Sequence, residues 1–593
     1  METHTGQNER VMSSEQNLRT SDWWRDAVIY QIYPKSWADA DGNGHGDAAG
    51  VRQHLPYLVE LGVDALWFSP FYRSPDNDGG YDVADYRDID PRFGTLAEVE
   101  ALVQDAHALG LKVLIDLVPN HTSSEHRFFQ AALKTAPGSP EWARYHVLPG
   151  RGEHRELPPN NWRCVFTGDA WSPILDDDGA PTGYWYLHLF DTTQPDVNWE
   201  NDDIRAEFDA TIRFWLDRGI DGFRVDVAHG LAKEAGLPDS VGPVEVLDDA
   251  GNVVDIVPEP MWDQPAVHDI YRHWRSIANE YEPARIFVGE IWVGTPARLA
   301  AYLRPDEMHT GFNFPFLHAN FRGDELRKVI DESLANDRAV GAPTTWVLEN
   351  HDVPRVVNRY AFNDRGRNAD PETTGTRLEN RIHRTPLTDD TERLGRDRAR
   401  AGMLLMLSLP GSAYIYQGQE LSLDEVIEIP EFEREDPAWF RSEGLDGLRD
   451  GCRVPMPWKQ HGTSFGFAPE GARAWLTQPH RWAQLAVDVQ ESDPVSTLAL
   501  TRKALRLRRD ESCLGDGEMH WRDDLELGTE VLVFERRGSN GSSMLVVTNT
   551  GADTVEVPNA GEVLASSCLP IVRTPANAIE VPANCTVWLR GSH

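Results

Sequence analysis

GFRVDVAHG (222–230) is an apolar, strand-like run that ends on an acid, Asp226, just before a glycine-containing turn. The pattern returns in IFVGEIW (286–292), which ends on Glu290, and in VLENHD (347–352), which ends on Asp352. In a chain of repeating strand–helix units, the C-terminal tip of a strand is where a barrel enzyme keeps its chemistry. One such acid is as well explained by a helix cap. Three in series, with Arg224 two residues before the first and His351 beside the last, point to carbohydrate chemistry. Glycosidic bonds are broken by paired carboxylates, one protonated and one ionised.

Working outward, residues 28–33, 65–68 and 113–117 read as strands, and 51–61 and 96–109 as helices. Alternation at this spacing predicts parallel β/α units. Between 121 and 189 the pattern breaks into Trp-, Pro- and Gly-rich sequence, read as a subdomain inserted after the third strand. It resumes with Ile204, Phe208, Ile212, Trp215 and Leu216 on one helical face, closed by Gly219. Strands at 222–225, 286–288, 311–313, 345–348 and 413–416 complete a set of eight. The predicted architecture is α/β. A (β/α)8 TIM barrel spans 22–120 and 190–510, with an inserted domain at 121–189 and a C-terminal antiparallel β-sandwich at 511–593. Residues 1–21 read as a disordered arm. Two long stretches, 229–265 and 359–398, follow strand ends and are expected to overhang the catalytic face.

Of 593 residues, 95 are acidic and 57 basic, a net charge of −38 that opposes nucleic-acid and anionic-membrane partners. Twenty tryptophans supply flat faces of the kind that stack on sugar rings as well as ordinary core. Five cysteines, at 164, 452, 513, 568 and 585, are scattered without metal-ligand spacing, so no disulfide framework is expected and the chain is assigned to a reducing, cytoplasmic compartment. No apolar run has transmembrane length, and the first twenty residues lack a signal-peptide core. The closing Arg-Gly-Ser-His reads as a tag remnant. Oligomeric state is not fixed by the sequence.

DLVPNH (116–121), GFRVDVAHG, GEIW (289–292) and ENHD (349–352) resemble, in order, the four signature regions of the α-amylase family of glycoside hydrolases (family 13). QPDVN (194–198), DALWFSPFYRSP (64–75) and GSAYIYQGQEL (411–421) resemble its oligo-1,6-glucosidase and α-glucosidase branch. The resemblance implies Asp226 as nucleophile, Glu290 as general acid/base and Asp352 as transition-state stabiliser. Independently, Arg224 lies on the same side of its strand as Asp226, where a cation lowers a carboxylate pKa. Glu290 follows an apolar run, a dry setting expected to raise its pKa.

The same resemblance implies that Tyr81 stacks on the terminal glucose and that Asp82 binds its hydroxyls, both within GGYDVADY (79–86). His121 and His351 would bind the same ring, Phe166 would form an apolar wall, and Arg453, in RDGCRVPMPW (449–458), would contact the sugar. Val227, directly after the nucleophile, accompanies α-1,6 tolerance in that branch, although Ala228-His229-Gly230 departs from its usual sequence. His229 either reaches the leaving-group side or caps the next element. A Gly-rich loop carries Asp39, Asp41, Asn43, His45 and Asp47, oxygen donors at alternate positions. It would hold structural Ca²⁺ or Mg²⁺, His45 through its carbonyl, or else form an Asx-stabilised turn.

The leading expectation is an exo-acting α-glucosidase on small-molecule α-glucosides such as maltose and isomaltose. A glucosyl transferase or a sucrose or trehalose isomerase would use the same intermediate; RGRN (365–368) does not match the Arg-rich loop of sucrose isomerases. A non-catalytic transporter heavy chain would need an anchor and would lose catalytic acids, whereas all three are present.

Overall fold

The computed structural model describes residues 22–590 apart from 177, 249–250, 252, 363–384, 446–448 and 559. The amino-terminal arm, the RGRN stretch and the last three residues lie outside the described residues.

Eight parallel strands form the central sheet: β1 (Val28–Ile32), β2 (Ala65–Phe68), β3 (Lys112–Leu117), β4 (Gly222–Val225), β5 (Ile286–Gly289), β6 (Thr310–Gly311), β7 (Thr345–Val347) and β8 (Ser412–Tyr416). Neighbours pair in chain order, β8 returns to β1, and a bridge from Phe312 to Thr345 closes the ring between β6 and β7. Strands buried on both faces favour apolar residues at nearly every position, which is why they read as near-continuous runs. Alternate residues take different neighbours. Ile29, Trp67, Leu114, Val288, Phe312, Val347 and Tyr414 pack together in the barrel interior. Tyr30, Leu66, Val113, Phe223, Phe287, Trp346 and Ile415 pack outward against the helices.

The helix Ala48–Leu61 shows how the local code places that outer layer. Asp47 caps it by accepting from Gly50 N, Val51, Leu55, Leu58 and Leu61 are buried, and Gly62 ends it at a φ of 98°, a left-handed turn that glycine makes without a Cβ clash.

Between β3 and the helix Asp202–Leu216 lies the insertion, with a three-stranded antiparallel sheet of Val147–Pro149, Pro181–Leu187 and Trp171–Leu175. Bridges from His121 to Asp196 and from Tyr145 to Val197 fasten its entrance to its exit. After β4, the 229–265 stretch forms an antiparallel hairpin, Val244–Leu247 with Val253–Val257. The ends of the 359–398 stretch are helical rather than loop, belonging to Val356–Phe362 and Asp389–Ser408. Past β8, residues 418–496 form a third long excursion with short helical turns; its length was not anticipated.

The C-terminal sheets have five and three antiparallel strands around a shared core of Val533, Val547, Val557, Ile579, Val581 and Val587. No disulfide framework was expected, and one disulfide is present, between Cys568 and Cys585. Both flank this small sheet region, 17 positions apart, a proximity that cysteine spacing alone does not disclose. Cys164, Cys452 and Cys513 are buried free thiols. Among the described residues, no helix is long and apolar enough to cross a membrane.

Candidate active site

Strand register builds the site. Asp116 on β3, Arg224 on β4 and Val288 on β5 are lateral partners, and Leu114 and Val288 face inward, so Asp116 and Arg224 do too. Two residues further along, the same phase carries Asp226 and Glu290 to the rim. Arg224 is fully buried and grips all three acids: Nη1 lies 2.8 Å from Asp116 and 2.6 Å from Asp226, and Nη2 lies 2.9 Å from Glu290.

Three carboxyls around one cation carry excess negative charge if all ionise in a dry site, so protons are retained. Burial pushes Asp116 up to about 7 against the pull of Arg224. Asp226 also moves upward, through burial first, with Glu290 and Asp116 adding to it and Arg224 opposing. Arg224 alone was expected to hold Asp226 low; burial beside two more carboxyls reverses that direction.

Glu290 is held by different donors on its two oxygens. Oε2 takes Arg224 and the N–H of Val227 at 3.0 Å, while Oε1 takes the indole N–H of Trp292 at 2.9 Å. Val227 adopts a φ of 44°, left-handed and costly for a β-branched residue, by roughly 1–3 kcal/mol. His229 is buried, ring-packed against Trp262, and accepts the Trp292 backbone N–H at 3.4 Å, so it braces the loop that follows Glu290.

Across the mouth, Asp352 sits among cations. Arg453 reaches its Oδ1 at 2.8 Å and Arg449 at 3.2 Å, with His351 3.2 Å from Oδ2. Burial opposes ionisation here as well, but the positive charges packed against it, those of Arg453 and Arg449, outweigh it and hold the carboxyl well below its usual range. Burial lowers His351 to about 3, so its ring is neutral. The Gln31 amide lies 2.7 Å from Nδ1 and the Tyr81 hydroxyl 2.6 Å from Nε2. The Tyr81 ring stacks on His351 at 5.3 Å, and its hydroxyl donates to Asp116. His121, also neutral and lowered to about 4 by burial, touches Gln194 at 3.1 Å. Arg449 covers the Phe166 ring at 5.0 Å.

Asp82 requires correction. Its carboxylate turns back to accept from Ser74 Oγ and from the N–H groups of Asn77 and Asp78, which fixes that loop. The acid that faces the site is Asp78, taking Arg449 at 2.7 Å and the Gln194 amide at 3.1 Å. Asp78, Asp116, Arg449 and Trp292 were all missed. Asp116 opens DLVPNH and Arg449 opens RDGCRVPMPW, so their motifs were in view.

Away from the mouth, carboxylate oxygens of Asp39, Asp41 and Asp47 lie within 4.8 Å of one another. Burial raises Asp39, and its two acidic neighbours add to that while the Gly42 and Gly44 N–H groups oppose it. Asn43 bonds to Asp41 in the same loop. Converging like charges on hard oxygen donors fit a divalent cation.

Residues 31–378 and 379–517 match the model of the α-amylase catalytic domain. The chain belongs to the α-amylase family. It is 35% identical over 541 residues to a probable α-glucosidase of Rhizobium meliloti (strain 1021), covering 88% of each chain. It is 30% identical over 567 residues to an oligo-1,6-glucosidase of Parageobacillus thermoglucosidasius, covering 90% of this chain and 91% of that one. A solved α-glucosyl transfer enzyme superposes with a TM-score of 0.79 at 32% identity, covering 96% of this family member and 99% of the other chain.

Proposed function

We infer that this chain is a retaining, exo-acting α-glucosidase that removes terminal non-reducing α-linked glucose from short α-glucosides of the maltose and isomaltose kind. The observation that carries it is the single guanidinium of Arg224 holding both Asp226 and Glu290 at the catalytic end of the barrel. Carboxyls this close fit the separation of about 5–5.5 Å in retaining enzymes better than the roughly 6.5–9.5 Å that leaves room for an attacking water. In the first step Glu290 gives its proton to the glycosidic oxygen, which leaves with the bonding pair, while an Asp226 oxygen bonds to C1. Glu290 then takes a proton from water as the water oxygen attacks C1 and Asp226 departs. Asp352, kept anionic, faces the positive charge that develops on the ring.

Exo-action follows from the ion-pair wall. Arg449 joins Asp78, Asp352 and Asp436 and lies over Phe166, a wall that would close the far end of a one-sugar site. If a sugar hydroxyl replaces water in the second step, the same site transfers glucose, an alternative favoured by the likeness to the α-glucosyl transfer enzyme. Chromatography of products from maltose, isomaltose, sucrose and trehalose at low concentration separates the two. Free glucose is expected; disaccharide isomers as main products would sink the hydrolase reading. Asp226→Asn and Glu290→Gln are each expected to cost about 10³-fold or more in kcat. Near-normal turnover in either overturns its role.

Asp39, Asp41, Asn43, the His45 carbonyl and Asp47 would hold the structural Ca²⁺ or Mg²⁺, whose charge offsets their repulsion. The location proposed is cytoplasmic, supported by three free thiols. The Cys568–Cys585 bond is the observation against it.

A further inference from the structure

Trp292 stands two residues beyond Glu290. It is 40% exposed, although it stands at the mouth of a buried site. One face of its ring lies flat on Phe314, with centroids 3.7 Å apart and planes within 2°. Its indole N–H donates to Oε1 of Glu290 at 2.9 Å. Oε2 already takes Arg224 and the Val227 N–H, so Oε1 is the less engaged of the two carboxyl oxygens.

The ring is also braced from below and behind. His229 takes its backbone N–H. Two residues on, Gly294 fits closely under the 229–265 hairpin, where an added Cβ would meet Ile256 at 2.6 Å. Arg298 clamps the same loop to the hairpin through Asp255 and Asp263, both on the insertion after β4. Such bracing suits a surface on which something else must be positioned.

We propose that Trp292 serves the leaving-group half of the site twice, its N–H orienting Oε1 of Glu290 and its open ring face stacking a flat leaving group, a pyranose or an aryl ring. The inference rests on the glucosidase reading and extends it to the leaving group's chemistry. The N–H acts through Glu290, so in that respect Trp292 is a positioning residue. It favours the ionised carboxylate that forms when the proton departs, as a donor to a charged acceptor does.

Two variants and three substrates test it: Trp292→Phe and Trp292→Ala on maltose, p-nitrophenyl α-glucoside and α-glucosyl fluoride. Trp292→Phe keeps the ring and loses the N–H. Its alkaline limb of kcat/KM on maltose is expected to move up by roughly 0.5–1 pH unit, with KM within about twofold of wild type. Trp292→Ala loses the platform as well. Its KM for maltose and the aryl glucoside is expected to rise about five- to tenfold. Glucosyl fluoride, whose leaving group has no ring to stack and needs little proton assistance, is expected to keep its KM in both. An unmoved pH limb in Trp292→Phe overturns the orienting role. An equal KM increase on maltose and glucosyl fluoride in Trp292→Ala overturns the platform. Wild-type protein inactive on all three substrates overturns the glucosidase reading instead.

Discussion

Arg449 lies half-buried among three carboxylates, of Asp78, Asp352 and Asp436, and no shorter side chain could reach all of them. Removing one member of a buried ion network leaves the others uncompensated, at a cost of about 3–5 kcal/mol. In Arg449→Gln, kcat/KM on maltose is therefore expected to fall by about 10²–10³, measured in steady state, while Arg453 still holds Asp352. A fall smaller than tenfold would show that the wall is not part of glucose binding. Arg449 lies four positions before Arg453 in the same motif. Its importance was hidden because a surface ion pair and a buried one look alike until the chain folds back over the mouth. Asp78 and Asp82 pose the same difficulty. Both precede or follow Tyr81 closely, and which one caps its own loop depends on the turn that Ser74, Asn77 and Asp78 make.

The elements were far more legible. Each barrel strand falls within two residues of its expected bounds, because a buried parallel strand is mostly apolar along its length and then stops. The helix Gly323–Val340 carries a less obvious feature, Asp337, buried near its C-terminal end with Thr344 Oγ donating at 2.6 Å. Burial raises its carboxyl to about 7. Below the ordinary unfolded value near 4 both states bind the proton; between there and about 7 only the folded state does, so stability falls as pH rises through that window. Above it, the folded protein keeps a charged group in a dry place. Asp337→Asn is accordingly expected to raise Tm by roughly a few degrees at pH 8 and to lose most of that advantage as pH falls toward about 4. Thermal melts at the two pH values check the sign; equal shifts at both would exclude the titration. The hairpin after β4 was expected only as overhanging sequence, and its clamp on the Glu290 loop through Arg298 depends on residues more than 30 apart.

For the whole molecule, the acidic loop of Asp39, Asp41 and Asp47 leads directly into the helix Ala48–Leu61 through the Asp47 cap. A cation there would hold both loop and cap, and chelation is expected to lower Tm by several degrees, with Ca²⁺ or Mg²⁺ restoring it. A melt insensitive to chelator and to added metal would leave the loop as an Asx turn. Local order in the sequence determined the barrel, the insertion after β3, the C-terminal β domain and the three strand-end acids. Those signals are contiguous, set by the two-residue period of strands, the apolar faces of helices and short motifs. The tertiary structure alone decided that Asp226 shifts upward, that Asp78 rather than Asp82 meets Arg449, and that Cys568 joins Cys585. Each depends on distances between segments far apart in the chain, and burial there turns a modest charge pattern into a strong one.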